Sequence, residues 1–290
     1  MKILKILILA LVQAVTEFIP VSSRGHYILL RELLNEKDTG VLFDLFLHFG
    51  VFLVICIVYH KDVLGIILEG GKFLGVKVRN LWMLFSQKVL KKSVNYNQVE
   101  SNRYQKLAIC LTISFLPFAF LGFVLRNQID AWDENLLYNG IGMLLTALFL
   151  FSSDFKKKGK KSFQMMTYKD ALLIGVFQIF SFFPGCSRLG MCLVGAKWAG
   201  LEKNTSIKYS FLLFLPCWFF ATLYRCAVKD YSSFSVSLPE AMIGGVASVV
   251  LSMFAYKLVS VYLKDRKYKY FALYSTVVGA LSILCHFVFV

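Results

Sequence analysis

The sequence has few charged residues for its length. Only 17% of its 290 residues are Asp, Glu, Lys or Arg, whereas 58% are hydrophobic and 28 are phenylalanine. Soluble proteins average about 25% charged residues, and a soluble domain of this size could not cover so much apolar surface with so few charges. This composition excludes a large soluble domain and predicts a single integral membrane domain over residues 1–290.

Acidic residues are scarcer than basic ones, 17 against 32, so the net charge is +15. Such an excess would suggest a nucleic-acid partner in a soluble protein. Membrane proteins, however, collect Lys and Arg in their cytoplasmic loops, so no nucleic-acid partner is expected. The seven cysteines follow neither CxxC nor Cys/His ligand spacing, so neither a disulfide framework nor a zinc site is indicated.

Prolines are also few, and two of the five interrupt long apolar regions. Pro20 divides region 3–35 and Pro184 divides region 170–200. Because proline lacks a backbone donor and obstructs the preceding turn, each region is predicted to be a helix, a break and a second helix that returns to the same side. The first region starts like a signal peptide, but we expect it to be retained because the most informative motif follows without a break.

The other apolar runs are long enough to cross, or nearly cross, a bilayer, and Pro117 and Pro216 within two of them are interpreted as kinks only. The six predicted spans are 42–59, 107–125, 136–153, 209–226, 241–262 and 270–290. A further stretch, 64–92, mixes Gly, Lys and apolar residues, and it is predicted to be an amphipathic segment at the cytoplasmic surface.

The loop charges predict which side each loop faces. Segments 60–106, 154–169 and 257–269 together carry 20 Lys and Arg, whereas 126–135 and 225–240 carry 3. Because cytoplasmic loops are enriched in Lys and Arg, the first three segments are predicted to be cytoplasmic. The first broken region then enters from the outer side and the second from the cytoplasm.

The two breaks also share a motif, EFIPVSSRGH in the first and SFFPGCSRLG in the second. Four residues match at a constant offset of 164: Phe18, Pro20, Ser23 and Arg24 with Phe182, Pro184, Ser187 and Arg188. The predicted fold is therefore an all-α polytopic membrane protein with an inverted-topology repeat, six spanning helices and two re-entrant helical hairpins. Its halves are about 1–153 and 168–290. Many transporters have this architecture and bind substrate at the breaks.

The residues at the breaks suit an anionic ligand. Helix N-termini carry unpaired N–H groups and partial positive charge, which favour phosphate, and Arg188 adds a cation that grips phosphate oxygens in two places. Glu17 and Gln13 share one helix face, as do Asp44 and His48 in the next span. The predicted phosphate-binding residues are Ser22, Arg24, Gly185 and Ser187.

These motifs resemble a known family. The run from Gln13 to His26, QAVTEFIPVSSRGH, strongly resembles the first motif of bacterial undecaprenyl-diphosphatases, the bacitracin-resistance membrane phosphatases. The segment Phe43 to Gly50 is similar to the family's next segment, and the run from Gln178 to Arg188 to its second motif. The order, the spacing and the length agree across nearly the whole chain.

The resemblance implies hydrolysis of undecaprenyl diphosphate on the outer face of the bacterial plasma membrane, which recycles the lipid carrier for peptidoglycan. With this chemistry we expect Ser23 to be the nucleophile, with His26 or Glu17 as its base, and Arg188 to be the clamp on the transferring phosphoryl group. The sequence leaves open whether His26 is base, acid or itself the nucleophile. Glu17, with Gln13, would orient a divalent cation, Mg²⁺ or Ca²⁺. The partners would be a polyprenyl diphosphate and membrane lipids, and the oligomeric state stays open.

The second motif departs from the family. Leu189 stands where the family usually has Ser, and Cys192 stands where it usually has Thr. Both changes remove phosphate-facing donors if these positions face the site. Two alternatives to the phosphatase therefore stay open: a polyprenyl-phosphate transporter or flippase, suggested by the architecture, and a degenerate, non-catalytic homologue.

The predicted topology can be tested by labelling. A cysteine probe placed in 156–161 should not react with a membrane-impermeant thiol reagent added to intact cells, because that segment is predicted to be cytoplasmic. A probe in 126–135 should react, and the unaltered protein gives the background from its own cysteines. Labelling of 156–161 from outside would contradict the topology.

Overall fold

The chain is almost entirely helical. The computed structural model describes residues 3–36, 40–90, 102–132, 135–228, 236–265 and 267–289. Within these ranges lie twelve α-helices: α1 Ile3–Glu17, α2 Ser23–Leu33, α3 Gly40–Val58, α4 His60–Leu90, α5 Arg103–Val124, α6 Arg126–Trp132, α7 Leu136–Asp154, α8 Tyr168–Ile179, α9 Arg188–Trp198, α10 Lys203–Val228, α11 Leu238–Asp265 and α12 Tyr268–Phe289. Single 3₁₀ turns flank α8 at Phe163–Met165 and Phe180–Phe182.

Six helices of the described part are long and apolar enough to cross a membrane: α3, α5, α7, α10, α11 and α12. This confirms the six predicted spans. The helix α10 begins at Lys203, before the predicted run, because its first turns are polar and so were not part of an apolar run. In these turns Lys208 pairs with Asp62 at 2.7 Å. The predicted surface segment 64–92 falls within α4, except for its last two residues, which lie outside the described ranges.

The first broken region, α1 and α2, returns to the end of the bundle from which it starts. Lys5, near the start of α1, donates to the carbonyl of Leu34 at 2.8 Å, just beyond the end of α2. The same ammonium forms an ion pair with Glu36 at 2.7 Å. The two ends of this hairpin are therefore neighbours, as expected for a re-entrant segment.

The second broken region, α8 and α9, is anchored in the same way, by the last residue of α7 and by the segment that follows it. Lys161 pairs with Asp170 in the first turn of α8 at 2.9 Å, and Lys197 near the end of α9 pairs with Asp154 at 2.8 Å. Burial acts to raise the pKa of Asp170, but hydrogen bonds from Thr167 and Lys161 outweigh it and lower that pKa. Both hairpins are therefore re-entrant.

The two hairpins enter from opposite ends of the bundle. The helix α3 starts shortly after the first hairpin and crosses the bundle once. Beyond its far end, Asp62 pairs with Lys208 of α10, the helix that follows the second hairpin. The topology is therefore inverted between the halves, while the boundaries of the halves stay a prediction.

Helices of one half pack against helices of the other half. The first helix of each hairpin packs on a span of the other half, α1 on α11 and α8 on α5, and α7 packs along α12. Small residues allow these helices to approach closely, which is how helices associate in lipid. A Cβ at Gly175 of α8 would lie 2.5 Å from the carbonyl oxygen of Ser114, and one at Gly140 of α7 would lie 2.7 Å from that of Gly279.

The backbone of α7 also supports the second break. A Cβ at Gly142 would lie only 1.8 Å from the carbonyl oxygen of Pro184. Because the blocking atom belongs to the backbone, no side-chain rotation can relieve the clash. The close approach of α7 and the second break therefore requires glycine at this position.

This contact predicts the effect of one methyl group. Gly142→Ala should destabilise the protein by about 1–3 kcal/mol, the usual cost of overpacking, measured as a lower unfolding temperature in detergent. The control is Gly71→Ala on α4, where nothing lies within 4 Å of the added Cβ. That control should be neutral or slightly stabilising, because alanine favours helix. Equal stability of the two variants would contradict the contact.

Candidate active site

The first break is a tight turn that ends in a capped helix. Ser22, the N-cap of α2, has a φ of 71°, a conformation that residues other than glycine rarely adopt. Its hydroxyl accepts a hydrogen bond from the N–H of Gly25 at 3.1 Å. Such strained residues persist only where the surroundings hold them, and they cluster at functional sites.

The second break is held by α7. Ser187 caps α9 by accepting from the N–H of Gly190 at 3.0 Å, and its own N–H donates to the hydroxyl of Thr146 at 2.8 Å. Gly185 has a φ of 75°, and a Cβ there would lie 1.9 Å from the carbonyl oxygen of Asn139. The Asn139 side chain in turn donates to the carbonyl of Gly25 at 3.0 Å, so α7 contacts both breaks.

The caps change the register of the repeat by one residue. The prolines are 164 residues apart, but the capping serines, Ser22 and Ser187, are 165 apart because the second break has one more residue between proline and cap. The first helical residues are therefore Ser23 in α2 and Arg188 in α9. By this geometry Ser23 corresponds to Arg188 rather than to Ser187, its match in the sequence motif.

Both of these first helical residues reach the same carboxylate. The Ser23 hydroxyl donates a short hydrogen bond to Oε2 of Glu17, and Nη2 of Arg188 donates to Oε1 at 2.7 Å. The Arg188 guanidinium also lies over the ring of Phe214, 4.1 Å from its centroid. The structure thus brings Ser23, Glu17 and Arg188 together, although 171 residues separate the last two.

A histidine from α3 extends this cluster. Nε2 of Gln13 donates to Oε2 of Glu17 at 3.0 Å and lies 3.1 Å from Nε2 of His48. Nδ1 of His48 lies 2.8 Å from the carbonyl of Asp44, which can only accept, so Nδ1 carries the proton and Nε2 accepts from Gln13. His48 was absent from the predicted site, although its shared face with Asp44 marked it.

His26, in contrast, does not join Ser23 and Glu17. Its Nδ1 donates to the carbonyl of Ser22 at 2.7 Å, and its Nε2 accepts from the hydroxyl of Tyr274 at 2.9 Å. Its ring stacks on that tyrosine, with centroids 5.5 Å apart. In this arrangement His26 supports the strained turn before Ser23 rather than facing the carboxylate.

The two breaks meet in a cavity of about 250 Å³. The predicted residues that line it are Glu17, Ser22, Ser23, Arg24, Ser187 and Arg188. Gln13, His26 and Gly185 are not among its lining residues. Gly185 packs against α7 instead, so its predicted contact with phosphate does not fit this geometry.

Arginines give the cavity its charge. Nη1 of Arg24 pairs with Oδ2 of Asp44 at 2.8 Å, and Arg188 pairs with Glu17. A third arginine, Arg225 of α10, also lines the cavity. The sequence marked Arg225 only as a loop charge, so its place at the site is new information from the fold.

The residues form no complete protein site for a metal ion. In the described ranges no group of three or more His, Cys, Asp or Glu side chains could hold one. Gln13 presents its amide nitrogen, a donor, to Glu17, so it does not serve as a ligand here. Glu17 accepts three hydrogen bonds, and a carboxylate has about four acceptor positions, so it fits as a single ligand to a cation that is also held by phosphate oxygens.

The two departures from the family motif lie in different surroundings. Leu189 lines the cavity and packs in the same buried cluster as Phe18 and Val54. Cys192 is buried one turn further along α9, in the cluster of Leu212 and Leu213. Only Leu189 therefore removes a donor from the cavity wall.

The chain is similar to known proteins over nearly its whole length. The family model described as Bacitracin resistance protein BacA matches residues 6–281. A protein of Methanosphaera stadtmanae named undecaprenyl-diphosphatase is 30% identical over 282 residues, which cover 97% of each chain. One of Alkaliphilus metalliredigens with the same name is 29% identical over 97% of each chain. One of Thermosipho africanus, also so named, is 34% identical over 84% of this chain and 88% of its own.

The ion pair between Glu17 and Arg188 predicts energetic coupling across the two breaks. Glu17→Gln and Arg188→Gln should each lower the unfolding temperature, because each leaves a largely buried charge without its partner. The double variant should lose less unfolding free energy than the two single variants lose together, and the difference, the coupling energy, should be about 0.5–3 kcal/mol. The exposed pair Glu69 and Lys72 on α4 is the control, with coupling near zero. Additive losses at Glu17 and Arg188 would contradict the prediction.

Proposed function

We propose that this chain, which belongs to the bacitracin resistance protein BacA family, is an undecaprenyl-diphosphatase. It hydrolyses undecaprenyl diphosphate to undecaprenyl phosphate and inorganic phosphate, and so recycles the lipid carrier for peptidoglycan synthesis. The observation that carries the proposal is the convergence of Ser23, Glu17 and Arg188 in one cavity between the two breaks. A nucleophile, a base and a phosphate clamp are the groups that phosphoryl transfer needs.

The first step transfers the terminal phosphoryl group to Ser23. Its oxygen attacks the terminal phosphorus while the proton passes to Glu17, which already accepts its hydrogen bond. The bond from that phosphorus to the bridging oxygen breaks, and undecaprenyl phosphate leaves. Glu17 rather than His26 is the base in this mechanism, because His26 is engaged by Ser22 and Tyr274.

The second step releases inorganic phosphate. A water molecule attacks the phosphorus of phosphoserine 23, and the bond from that phosphorus to the serine oxygen breaks. The serine oxygen takes back the proton that Glu17 received in the first step, and the proton that the water loses leaves on the inorganic phosphate. The Arg188 guanidinium stabilises negative charge on the phosphoryl oxygens in both steps. Its bond to Glu17 and its position over Phe214 hold it in place before substrate arrives.

The helix starts provide the rest of the phosphate site. The first turns of α2 and α9 lie at the same cavity, and their N-terminal dipoles favour an anion. Ser22, Ser187 and Arg24 line the cavity beside them. A bound divalent cation, Mg²⁺ or Ca²⁺, would neutralise phosphate charge, with Glu17 as its protein ligand.

The cavity also offers apolar surface to a lipid. Phe118, Leu45 and Trp218 line it from three different spans. By the loop charges, the ends of α5 and α10 near this cavity face the outer side of the membrane. The proposed location is therefore a bacterial plasma membrane, with the active site facing outward.

Phosphate release in detergent tests the function. The purified protein should release phosphate from a C15 or C55 diphosphate without sealed vesicles or a membrane potential. Ser23→Ala and Arg188→Ala should lose about two to three powers of ten in rate, and Arg188→Lys should also be impaired because an ammonium lacks the bidentate fork. Ser181→Ala, which lines the cavity but bonds the carbonyl of Gln178, is the control.

Other outcomes of this assay separate the alternatives. Activity that requires sealed vesicles would indicate a transporter, and binding of the diphosphate without turnover would indicate a non-catalytic homologue. Either result would contradict the proposed function.

A further inference from the structure

Arg225 is the arginine of the cavity that the mechanism does not use. It lies half-buried on α10, on the face that also carries Phe214, Trp218 and Thr222 into the cavity. Within the described part of the chain it forms no hydrogen bond or ion pair, although Asp44 and His48 lie within electrostatic range. Charged side chains in membrane proteins usually face a cavity and mark a ligand path or pair with a partner, so the position of Arg225 in the cavity requires an explanation.

Among the described residues, the ion pairs around the cavity show that Arg225 differs from the other two arginines in having no paired carboxylate. Arg188 is neutralised by Glu17 and Arg24 by Asp44, at 2.7 and 2.8 Å. Glu17 is the only carboxylate among the residues that line the cavity in the described structure. In the described structure Arg225 is therefore the arginine of the cavity that has no paired carboxylate.

Arg225 and Arg188 approach the cavity from different levels. Arg188 lies over Phe214, and Arg225 follows Phe214 by eleven residues on the same helix, a rise of about 16 Å. Arg188 lies at the breaks with Ser23, whereas Arg225 lies close to the end of α10. Long side chains from both levels line the same cavity, so an elongated dianionic ligand can contact both.

We propose that Arg225 binds the phosphoryl group attached to the lipid, while Ser23 and Arg188 hold the terminal one. The inference rests on the proposed function and assigns one arginine to each phosphoryl group. It also separates the products. The lipid monophosphate keeps its contact with Arg225, whereas inorganic phosphate occupies only the region of Ser23 and Arg188.

Inhibition by the two products tests the assignment. With farnesyl diphosphate in detergent, Arg225→Gln should raise KM about ten- to a hundredfold, the usual value of a hydrogen bond to a charged group, and leave kcat nearly unchanged. The inhibition constant of farnesyl monophosphate should rise by a similar factor, while that of inorganic phosphate should not change. The KM and the monophosphate inhibition constant of Arg225→Lys should fall between those of Arg225→Gln and those of the unaltered protein. Arg225→Lys replaces Arg225→Gln in the test if the latter does not fold.

A matched control removes a different arginine on the same predicted side of the membrane. Arg126, at the start of α6, lies over Phe123 and does not line the cavity. Arg126→Gln should leave KM and both inhibition constants unchanged. If Arg126→Gln changes KM and the inhibition constants as Arg225→Gln does, the change comes from the overall positive charge rather than from a contact with the ligand. The assignment is then wrong.

Two further results would overturn the assignment: a loss in kcat at constant KM, or an equal weakening of both inhibitors. Failure of the proposed function looks different, because the unaltered protein would then release no phosphate. In that case calorimetry still tests the role of Arg225 in binding. It would compare the affinities of farnesyl monophosphate and of inorganic phosphate for the unaltered protein and for Arg225→Gln. Unchanged binding of the monophosphate would overturn the inference.

Discussion

The rest of this structure depends on one requirement of the bilayer, that backbone polar groups be satisfied without water. A helix that breaks in the membrane exposes unpaired N–H groups at the start of its second part. Here Ser22 and Ser187 satisfy part of this demand as N-caps. Thr146 of α7 satisfies more of it, because its hydroxyl accepts a hydrogen bond from the N–H of Ser187, and Asn139 of α7 donates to the carbonyl of Gly25 in α2. The N–H groups of two helix starts are thereby directed at a shared cavity.

The same requirement determines how charge is distributed. Each arginine at the breaks has a carboxylate from a different helix, Glu17 for Arg188 and Asp44 for Arg24. Such pairs are weak evidence for stability, since desolvation opposes their attraction. They do keep guanidinium groups inside the membrane in fixed positions, where a phosphoryl group can use them. The pair of Glu17 and Arg188 also connects the two halves, whereas Arg24 and Asp44 both belong to the first half.

Much of this arrangement follows from local sequence. Proline within an apolar run has direct backbone consequences, so Pro20 and Pro184 marked both breaks, and the length of the apolar runs marked the spans. The proximity of Glu17 and Arg188 followed from the inverted repeat. These features depend on residue type and spacing, which the sequence contains in full.

Other features depend on partners far along the chain. The orientation of His26 is determined by Tyr274, 248 residues later, so its motif could not show that it turns from the carboxylate. The one-residue change of register depends on the backbone at Ser22 and Gly185, both with positive φ. Arg225 looked like a loop charge because it lies at the end of its apolar run, and only the packing of α10 shows that it lines the cavity.

The double attachment of α7 has a mechanical consequence. Transport by alternating access requires one half of an inverted repeat to rock against the other around the substrate. In this protein a helix of the first half lies against the backbone of the second break at Gly142, while its Asn139 bonds the first hairpin. Rocking would have to shear both attachments, so the two breaks behave as one rigid joint. A rigid joint of this kind opposes the rocking that alternating access requires.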